Sequence, residues 1–279
     1  MKAPNAPDWL IDRPIAHRGL HDIAQGVIEN TLGAAEAAIE AGFAVECDVQ
    51  MSADGEVFVF HDDTLDRLTD SSGLIIEKSA AEVRKATFRA PDAAGARDPG
   101  GDRVSCAPQG VRKGIPTFAE LLAHVAGRTP IVCELKSRFD RDFRLGDRVA
   151  ALARSYAGPL ALKSFDPALV GYLRLRWPDL GLPGRPCPVG IVAEASYDGP
   201  DWALLSPEQR LECADWEALM RGGPDFLSFN VRDLPHATPF FMKELHGLPV
   251  MAWTVRSAAQ REAARKWADQ IVFEGVGRP

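Results

Sequence analysis

Short apolar runs recur along the chain, separated by segments with the mixed apolar and polar spacing of helices. Eight such runs occupy 14–17, 44–49, 131–135, 160–165, 189–193, 226–230, 250–255 and 271–274. Continuous apolar runs of this length are typical of strands that are buried on both faces. Because the runs alternate with helical segments, they predict a parallel sheet with crossover helices.

Recognisable helix starts lie between most of these strands. Three segments have the spacing of a capping box, and two pair a capping residue with a proline. They begin at Thr117, Ser206, Ser257, Asp166 and Thr238. Eight strand–helix units in 279 residues fit an α/β fold of the TIM-type (β/α)8 barrel class. An open doubly wound sheet is the alternative, but no GxGxxG segment follows the first strand.

One segment interrupts the alternation. Asp54-Gly55 between two apolar runs is a hairpin signal, so 57–61 is expected to return antiparallel to 44–50 as an extra strand. Residue 61 then falls beside 46–48. The chain next enters 66–115, which we expect to form a small inserted cap, with a helix at 79–88, inside one domain that spans 1–279.

The end of the chain also departs from the regular pattern. The last apolar run is followed by "GVGRP", so we expect the last outer helix of the barrel to be missing from these residues. We expect other segments, such as "DWLID" at 8–12, to help close the barrel.

Composition narrows the classes of function. A net charge of −7 makes broad nucleic-acid binding unfavourable, so an anionic substrate would need locally placed cations. The five cysteines lack paired spacing and are read as reduced thiols of a cytoplasmic protein. No apolar core of signal-peptide length starts the chain, and nothing approaches the roughly 20 apolar residues of a membrane span. The oligomeric state is not predicted.

Three acidic residues at strand ends suggest a metal site. In "VECDVQ" the side chains of Glu46 and Asp48 share one face of the strand, and Glu134 lies at the end of "IVCEL". The carboxyl ends of barrel strands meet at one mouth, where these carboxylates would repel one another without a cation. Oxygen ligands favour Mg²⁺ or Ca²⁺, and the absence of an HExxH or Cys/His set argues against a structural zinc.

Histidines and basic residues lie at the same strand ends. His17 ends the first strand and His61 the return strand, where general acid and general base roles suit them. Arg18 and Lys136 are cations suited to a phosphate. Each residue alone has a structural interpretation, as an ordinary polar residue or an ion-pair partner, and Trp253 is as compatible with a core role as with a pocket. Their coincidence on one side of one barrel favours phosphoester cleavage.

These motifs resemble a known family. "AHRG" at 16–19, "ENT" at 29–31, "ECDVQMSADGEVFVFHDDTLDRLT" at 46–69, "IPTFAELL" at 115–122, "CELK" at 133–136 and "AWTV" at 252–255 are similar to those of the glycerophosphodiester phosphodiesterases. The resemblance implies a TIM-like barrel and divalent-cation-dependent hydrolysis of a small-molecule glycerophosphodiester to glycerol 3-phosphate and an alcohol.

The resemblance also implies roles for particular residues. His17 and His61 would be the acid–base pair, and Glu46, Asp48 and Glu134 would be the metal ligands. Arg18 and Lys136 would bind the phosphate, and Trp253 would lie beside the glycerol or leaving group. Glu29, Asn30 and Asp62 would be supporting residues. The family's usual ending, a run like "ITDYP", is replaced by "IVFEGVGRP", with Glu274 near the usual acid.

Two other functions remain open from the sequence. The same site would serve a lysophospholipase D-like phosphodiesterase, and a non-catalytic phosphate-binding module would retain part of it. The sequence gives neither the alcohol leaving group nor the preferred metal. It also does not say which histidine is the acid, or whether a cyclic intermediate forms.

Overall fold

The computed structural model describes residues 6–89, 114–177, 180–182 and 185–279. Its central feature is a closed barrel of eight parallel strands with one antiparallel strand outside it. In chain order the strands are β1 (Ile15–Ala16), β2 (Ala44–Met51), β3 (Val57–Val59), β4 (Ile131–Leu135), β5 (Leu160–Ser164), β6 (Gly181–Leu182), β7 (Arg185–Pro186), β8 (Val189–Ala193), β9 (Phe226–Asn230), β10 (Val250–Val255) and β11 (Gln270–Phe273).

The helices follow the strands around the outside of the barrel. They are α1 (Leu32–Glu40), α2 (Ala80–Val83), α3 (Phe118–Val125), α4 (Arg144–Ala153), α5 (Pro167–Arg176), α6 (Pro207–Ala214), α7 (Trp216–Arg221), α8 (Ala237–His246) and α9 (Ala258–Trp267). Within the described ranges, no helix combines the length and the apolar character needed to cross a bilayer.

All eight predicted barrel strands are confirmed, and β3 returns antiparallel to β2 as predicted. Backbone pairing closes the barrel, because β1 pairs in parallel with both β2 and β11. An open doubly wound sheet has no such closure, so that alternative is wrong. β6 and β7 form a separate two-stranded antiparallel sheet that the apolar pattern did not predict.

Four of the five predicted helix starts are observed as caps. The Thr117 and Ser206 capping boxes are complete, and Asp166 caps α5 with Pro167 behind it. Ser257 accepts from the backbone N–H of Gln260, but the Gln260 side chain accepts from the N–H of Arg256, so this box is only half formed. The prediction for Thr238 is wrong: the helix begins earlier, and its cap is His236, whose ring accepts from the N–H of Thr238.

The interior of the barrel is filled in layers. A layer at the amino ends of the strands consists of apolar side chains that point inward, and the 3-10 helix Asp8–Leu10 adds Leu10 to it. Its strand members are Ile15, Ala44, Val132, Ala161, Phe226, Met251 and Val272. Gln270 of β11 donates to the backbone oxygens of Leu10 and Arg13, at 3.4 and 2.8 Å. The "DWLID" segment therefore covers this end, while direct strand pairing closes the wall.

The insertion has its own apolar cluster. Phe58 and Phe60 of the return segment pack with Leu65, Ile75 and Val83, all of them fully buried. The helix predicted at 79–88 is shorter than expected, because it spans only Ala80–Val83 behind a Ser79 capping box. The part of the predicted cap between 90 and 113 lies outside the described residues.

From β11 to Pro279 the described residues form the 3-10 helix Gly275–Gly277 and no α-helix, which agrees with the sequence pattern.

Candidate active site

The turn after β1 brings His17 and Arg18 to the carboxyl end of the barrel. Arg18 and Gly19 both have positive φ, of 54° and 77°. A side chain at position 19 would place its Cβ 2.7 Å from the backbone of Ala34, so this position requires glycine. The tight turn lets the backbone N–H of Arg18 donate to Glu46 Oε2 at 2.9 Å.

Glu46, Asp48 and Glu134 meet where the sequence predicts. They alternate with the outward-facing Cys47 and Cys133, and β2 and β4 pair with Asp48 beside Glu134. All three acids are buried, and one carboxylate oxygen from each lies within 4.8 Å of the others. Three carboxylates this close need compensating positive charge.

Two lysines and an arginine supply that charge. Lys136 Nζ lies 2.6 Å from Glu134 Oε1 and 3.0 Å from Asp48 Oδ1, and Arg18 Nε lies 3.3 Å from Asp48 Oδ2. Lys163 is deeper: its Nζ lies 3.0 Å from both Glu46 Oε1 and Glu134 Oε2.

These cations also control ionisation. Burial favours a raised pKa at Asp48, but Lys136, His61 and Arg18 overcome it and hold the pKa well below its usual range. Burial opposes ionisation of Glu134 as well, and Lys136 and Lys163 still lower its pKa to about 2. Both acids are therefore carboxylates at neutral pH.

A carboxylate orients His17. Glu274, the first residue after β11, accepts a hydrogen bond from Nδ1 of His17. Arg256 holds Glu274 in turn, with Nε at 2.6 Å from Oε2. Because a carboxylate can only accept, Nδ1 carries the proton and Nε2 remains available on the side of Glu46, 3.9 Å from its Oε2. Burial favours a raised pKa at Glu274, but His17, His21 and Arg256 lower it.

His61 has an equivalent arrangement. Asp62 Oδ1 lies 2.7 Å from Nδ1 of His61, and Arg67 forms hydrogen bonds with Asp62 and with Glu29. Glu29 also accepts from Arg18 at 2.7 Å, which joins this group to the turn after β1. Burial favours a raised pKa at Asp62, but His61 and Arg67 lower it. Both histidines thus have Nδ1 fixed by an arginine-held carboxylate.

Further side chains fix the carboxylates and the return segment. Asn30 donates to Asp48 Oδ2 at 2.9 Å and accepts from the N–H of Asp48 at 3.1 Å. Asn30 therefore supports an acid, and Thr31 is the cap of α1. Gln50 donates to the backbone oxygen of His61 at 2.9 Å, which ties that segment to β2.

The residues fit a divalent cation. Glu46 Oε1 is buried, and among the described residues it has an ion-pair contact with Lys163 Nζ at 3.0 Å but no well-oriented hydrogen bond. Glu46, Asp48 and Glu134 together offer three carboxylate oxygens at one place, which is the kind of donor set that Mg²⁺ and Ca²⁺ prefer. Arg18 Nε is likewise buried, and in the described part of the chain its contact with Asp48 Oδ2 at 3.3 Å is an ion pair without a well-oriented hydrogen bond.

Trp253 lies on the opposite side of the mouth. It contacts the apolar layer inside the barrel, its Nε1 donates to the oxygen of Ser228 at 3.0 Å, and its ring meets Phe165 edge-on at 5.4 Å. The residue thus combines a packing role with a partly exposed surface. The two interpretations of the sequence are therefore compatible.

Sequence reasoning missed three residues of this arrangement. Lys163 looked like part of an apolar run, although a charge inside "LALKS" at an inward-facing position was a usable signal. Glu274 was noted only as a departure from a family pattern. Arg67 was part of a quoted motif and received no role, because nothing local shows that it reaches Glu29, 38 residues away.

The fold and the site define the class: a (β/α)8 barrel with three carboxylates, two carboxylate-held histidines and three cations at its carboxyl-end mouth. The model of the glycerophosphoryl diester phosphodiesterase family matches residues 17–276, and the chain belongs to that family.

Individual relatives agree with this assignment. A glycerophosphodiester phosphodiesterase from Bacillus subtilis is 31% identical over 279 residues, covering 96% of this chain and 84% of that protein. Another from Caldanaerobacter subterraneus is 40% identical over 72 residues, and that match spans only 28% of the relative's length. The structure of an Oleispira antarctica phosphodiesterase with its product sn-glycerol 3-phosphate has a TM-score of 0.69 at 20% identity. The match covers 95% of this chain and 93% of the Oleispira antarctica chain, and a similarity at this level of identity shows the fold alone.

Proposed function

We propose that this protein hydrolyses glycerophosphodiesters to glycerol 3-phosphate and an alcohol, with a divalent cation. The observation that carries the proposal is the meeting of Glu46, Asp48 and Glu134 between His17 and His61 at one barrel mouth. Membership of the family and the name of the Bacillus subtilis relative support the same reaction. So does the glycerol 3-phosphate held by the Oleispira antarctica phosphodiesterase.

The three acids would hold the cation, Mg²⁺ or Ca²⁺. When bound, it would supply Lewis-acid stabilisation of the phosphate charge. The net charge of the acids is −3, and buried Lys163 together with a divalent ion balances it. Lys136 and Arg18 are then free to contact the phosphate, and both have partly exposed side chains. Asn30 and Glu29 keep Asp48 and Arg18 in place.

The histidines would transfer the protons. Each has Nδ1 tied to a carboxylate, so Nε2 is the atom that takes or gives a proton. One would remove a proton from the nucleophile, which is water or a neighbouring glycerol hydroxyl, and the other would protonate the leaving alcohol. Glu274 and Asp62 would stabilise the imidazolium that forms at either step. Trp253 would flank the organic part of the substrate.

A coupled assay of glycerol 3-phosphate release from glycerophosphocholine tests the proposal. We expect His17→Ala and His61→Ala each to lower kcat by about 10²–10⁴-fold. We also expect EDTA followed by dialysis to abolish release, and Mg²⁺ or Ca²⁺ to restore it. Normal turnover by either variant would exclude the substituted histidine from the mechanism. Full activity after chelation would exclude the cation.

The same assay separates the alternatives. Most described apolar residues of the insertion pack into their own cluster and Ile76 packs against the barrel core, which does not favour a groove for an acyl chain. We therefore expect glycerophosphocholine and glycerophosphoethanolamine to be turned over in preference to lysophosphatidylcholine. Binding of glycerol 3-phosphate without turnover of any of these substrates would support a non-catalytic phosphate-binding module.

The proposal extends to location and domain organisation. Cys47, Cys133, Cys187 and Cys213 are buried free thiols, which supports a reducing cytoplasm. We also propose that 66–115 is a cap within one domain spanning 1–279, because the described part of it packs on β3, next to His61.

A further inference from the structure

We propose that the mouth of the barrel has a separate subsite for a cationic alcohol, and that this subsite makes glycerophosphodiesters of choline type the preferred substrates. This inference rests on the proposed function, because it concerns the half of the mouth that faces the carboxylates and histidines.

The subsite is built around Glu194. This residue directly follows β8, and the inward positions of the strand are Gly190, Val192 and Glu194, since β8 pairs Gly190 with the inward Lys163 of β5. The carboxylate of Glu194 accepts from Trp202 Nε1, and from Asn230 Nδ2 at 3.0 Å. Asn230 in turn lies beside Trp253 in the pairing of β9 with β10.

The partners of Glu194 are all neutral. The carboxylates that hold the histidines, and those of the predicted metal site, each have an arginine or lysine partner. Glu194 forms no ion pair with any residue in the described ranges, although it is half-buried. Two neutral donors fix its position without neutralising it, so it carries a negative charge that a bound cation can complement.

A cluster of aromatic rings begins at Trp202, the residue that donates to this carboxylate. We define the aromatic cluster as Phe139, Phe165, Tyr197, Trp202 and Trp253. The ring of Trp202 lies 4.8 Å from those of Phe165 and Tyr197 and 6.3 Å from that of Phe139, and Phe165 joins it to Trp253. All except Tyr197 are partly exposed.

This combination fits a quaternary ammonium group. A trimethylammonium group has no N–H to donate and is attracted to the faces of aromatic rings, Trp above all. A negative charge nearby, held by neutral donors, adds attraction without requiring a hydrogen bond from the ligand. A primary ammonium is the second choice, because Glu194 can accept from it, and a neutral polyol benefits from neither interaction.

The position agrees with the proposed reaction. Phe165 lies two residues beyond Lys163 on the inward face after β5, so the cluster begins one inward position beyond the lysine that pairs with Glu46 and Glu134. With the phosphate on Lys136 and Arg18, an alcohol on its far side would reach the aromatic cluster. The glycerol would stay on the side of the histidines.

The test compares glycerophosphocholine with glycerophosphoglycerol in the wild type, Glu194→Gln and a control, Glu244→Gln. Glu244 is exposed on α8 and carries the same charge. We expect Glu194→Gln to lower kcat/KM for glycerophosphocholine about tenfold, mainly through KM, and to leave glycerophosphoglycerol unchanged. The control should match the wild type on both substrates.

A second readout keeps the test informative if Glu194→Gln folds poorly. Choline and its uncharged isostere 3,3-dimethylbutan-1-ol are compared as competitive inhibitors of the wild type and of Trp202→Leu. We expect choline to inhibit the wild type about tenfold more strongly than the isostere, and Trp202→Leu to lose that difference.

The possible failures are distinguishable. If the wild type releases glycerol 3-phosphate from neither substrate, the proposed function itself is wrong. Release from both substrates, with equal kcat/KM and equal inhibition by choline and its isostere, would overturn only the cationic subsite. An equal loss on both substrates in Glu194→Gln, with no difference between the inhibitors, would assign Glu194 a structural role and overturn the subsite as well.

Discussion

Lys163 shows how one buried charge can hold a site together. Its side chain is inside the barrel, and its described ion-pair partners are the two acids Glu46 and Glu134. Its neighbours raise the pKa of Lys163, although burial acts in the opposite direction, so the ammonium form persists. The acids are thereby held close together before any ligand arrives.

Lys163→Met is therefore expected to destabilise the protein. Removing one partner of a buried ion pair leaves uncompensated charge and typically costs about 3–5 kcal/mol. We expect a loss of this order in the free energy of unfolding, measured by urea denaturation in EDTA, and a smaller loss in saturating Mg²⁺ or Ca²⁺. An equal loss with and without the cation would contradict the electrostatic role.

Substitution of Glu274 separates the orientation of His17 from the binding of substrate. In Glu274→Gln the neutral amide cannot stabilise an imidazolium and can present its N–H to the ring. We expect kcat to fall by about 10²–10⁴-fold with little change in KM, by analogy with other carboxylate–histidine pairs. Glu274→Asp should recover part of kcat. Steady-state kinetics on glycerophosphocholine provide the check, and a near-normal kcat in Glu274→Gln would exclude the orienting role.

At the level of single elements, the apolar pattern was informative about strands because each barrel strand is buried on both faces. The alternation of side chains along β2 and β4 is sufficient to predict that Glu46, Asp48 and Glu134 lie together, as the structure has them. The pairing of β11 with β1 brings Glu274 to His17. This pairing depends on closure of the barrel, so no local stretch of sequence predicts it. Thr238 was mistaken for a cap because the proline rule does not weigh His236 as a competing acceptor.

The turn between β1 and α1 has no room for a single added methyl group at Gly19. In Gly19→Ala the new Cβ would meet Ala34 at 2.7 Å, in addition to the cost of a positive φ. Gly42 has the same φ of 77° with nothing within 4 Å of an added Cβ, so Gly42→Ala is the matched control.

The two alanine variants separate the cost of conformation from the cost of the clash. We expect Gly42→Ala to lose about 1 kcal/mol in the free energy of unfolding. Gly19→Ala should lose clearly more and also lower activity, because the turn carries His17 and Arg18. Equal stability of the two variants in urea denaturation would contradict the steric argument.

For the whole molecule, the wall and the ends of the barrel are stabilised in different ways. Strand pairing closes the wall, while the segment before β1 covers the amino end with Leu10. The sequence suggested that "DWLID" contributes to closure. It could not show that β1 would pair with β11, since that contact joins residues more than 250 positions apart.

Leu10→Ala tests the contribution of this end. Leu10 is 2% exposed, whereas its neighbour Ile11 is 43% exposed and serves as the control. We expect Leu10→Ala to reduce the free energy of unfolding by about 2–5 kcal/mol, and Ile11→Ala to change it far less. Glycerophosphodiester turnover at low temperature should be unaffected, because the substitution lies at the end of the barrel opposite the site. Equal destabilisation by the two substitutions in urea denaturation would contradict this packing.

The most direct measurement of the central claim is the identity of the phosphorus-containing product. Phosphorus NMR can follow glycerophosphocholine with the wild-type protein and Mg²⁺ or Ca²⁺. If the carboxylates and histidines act as proposed, the diester resonance is replaced by that of glycerol 3-phosphate. Appearance of phosphocholine instead, or an unchanged diester, would contradict the account.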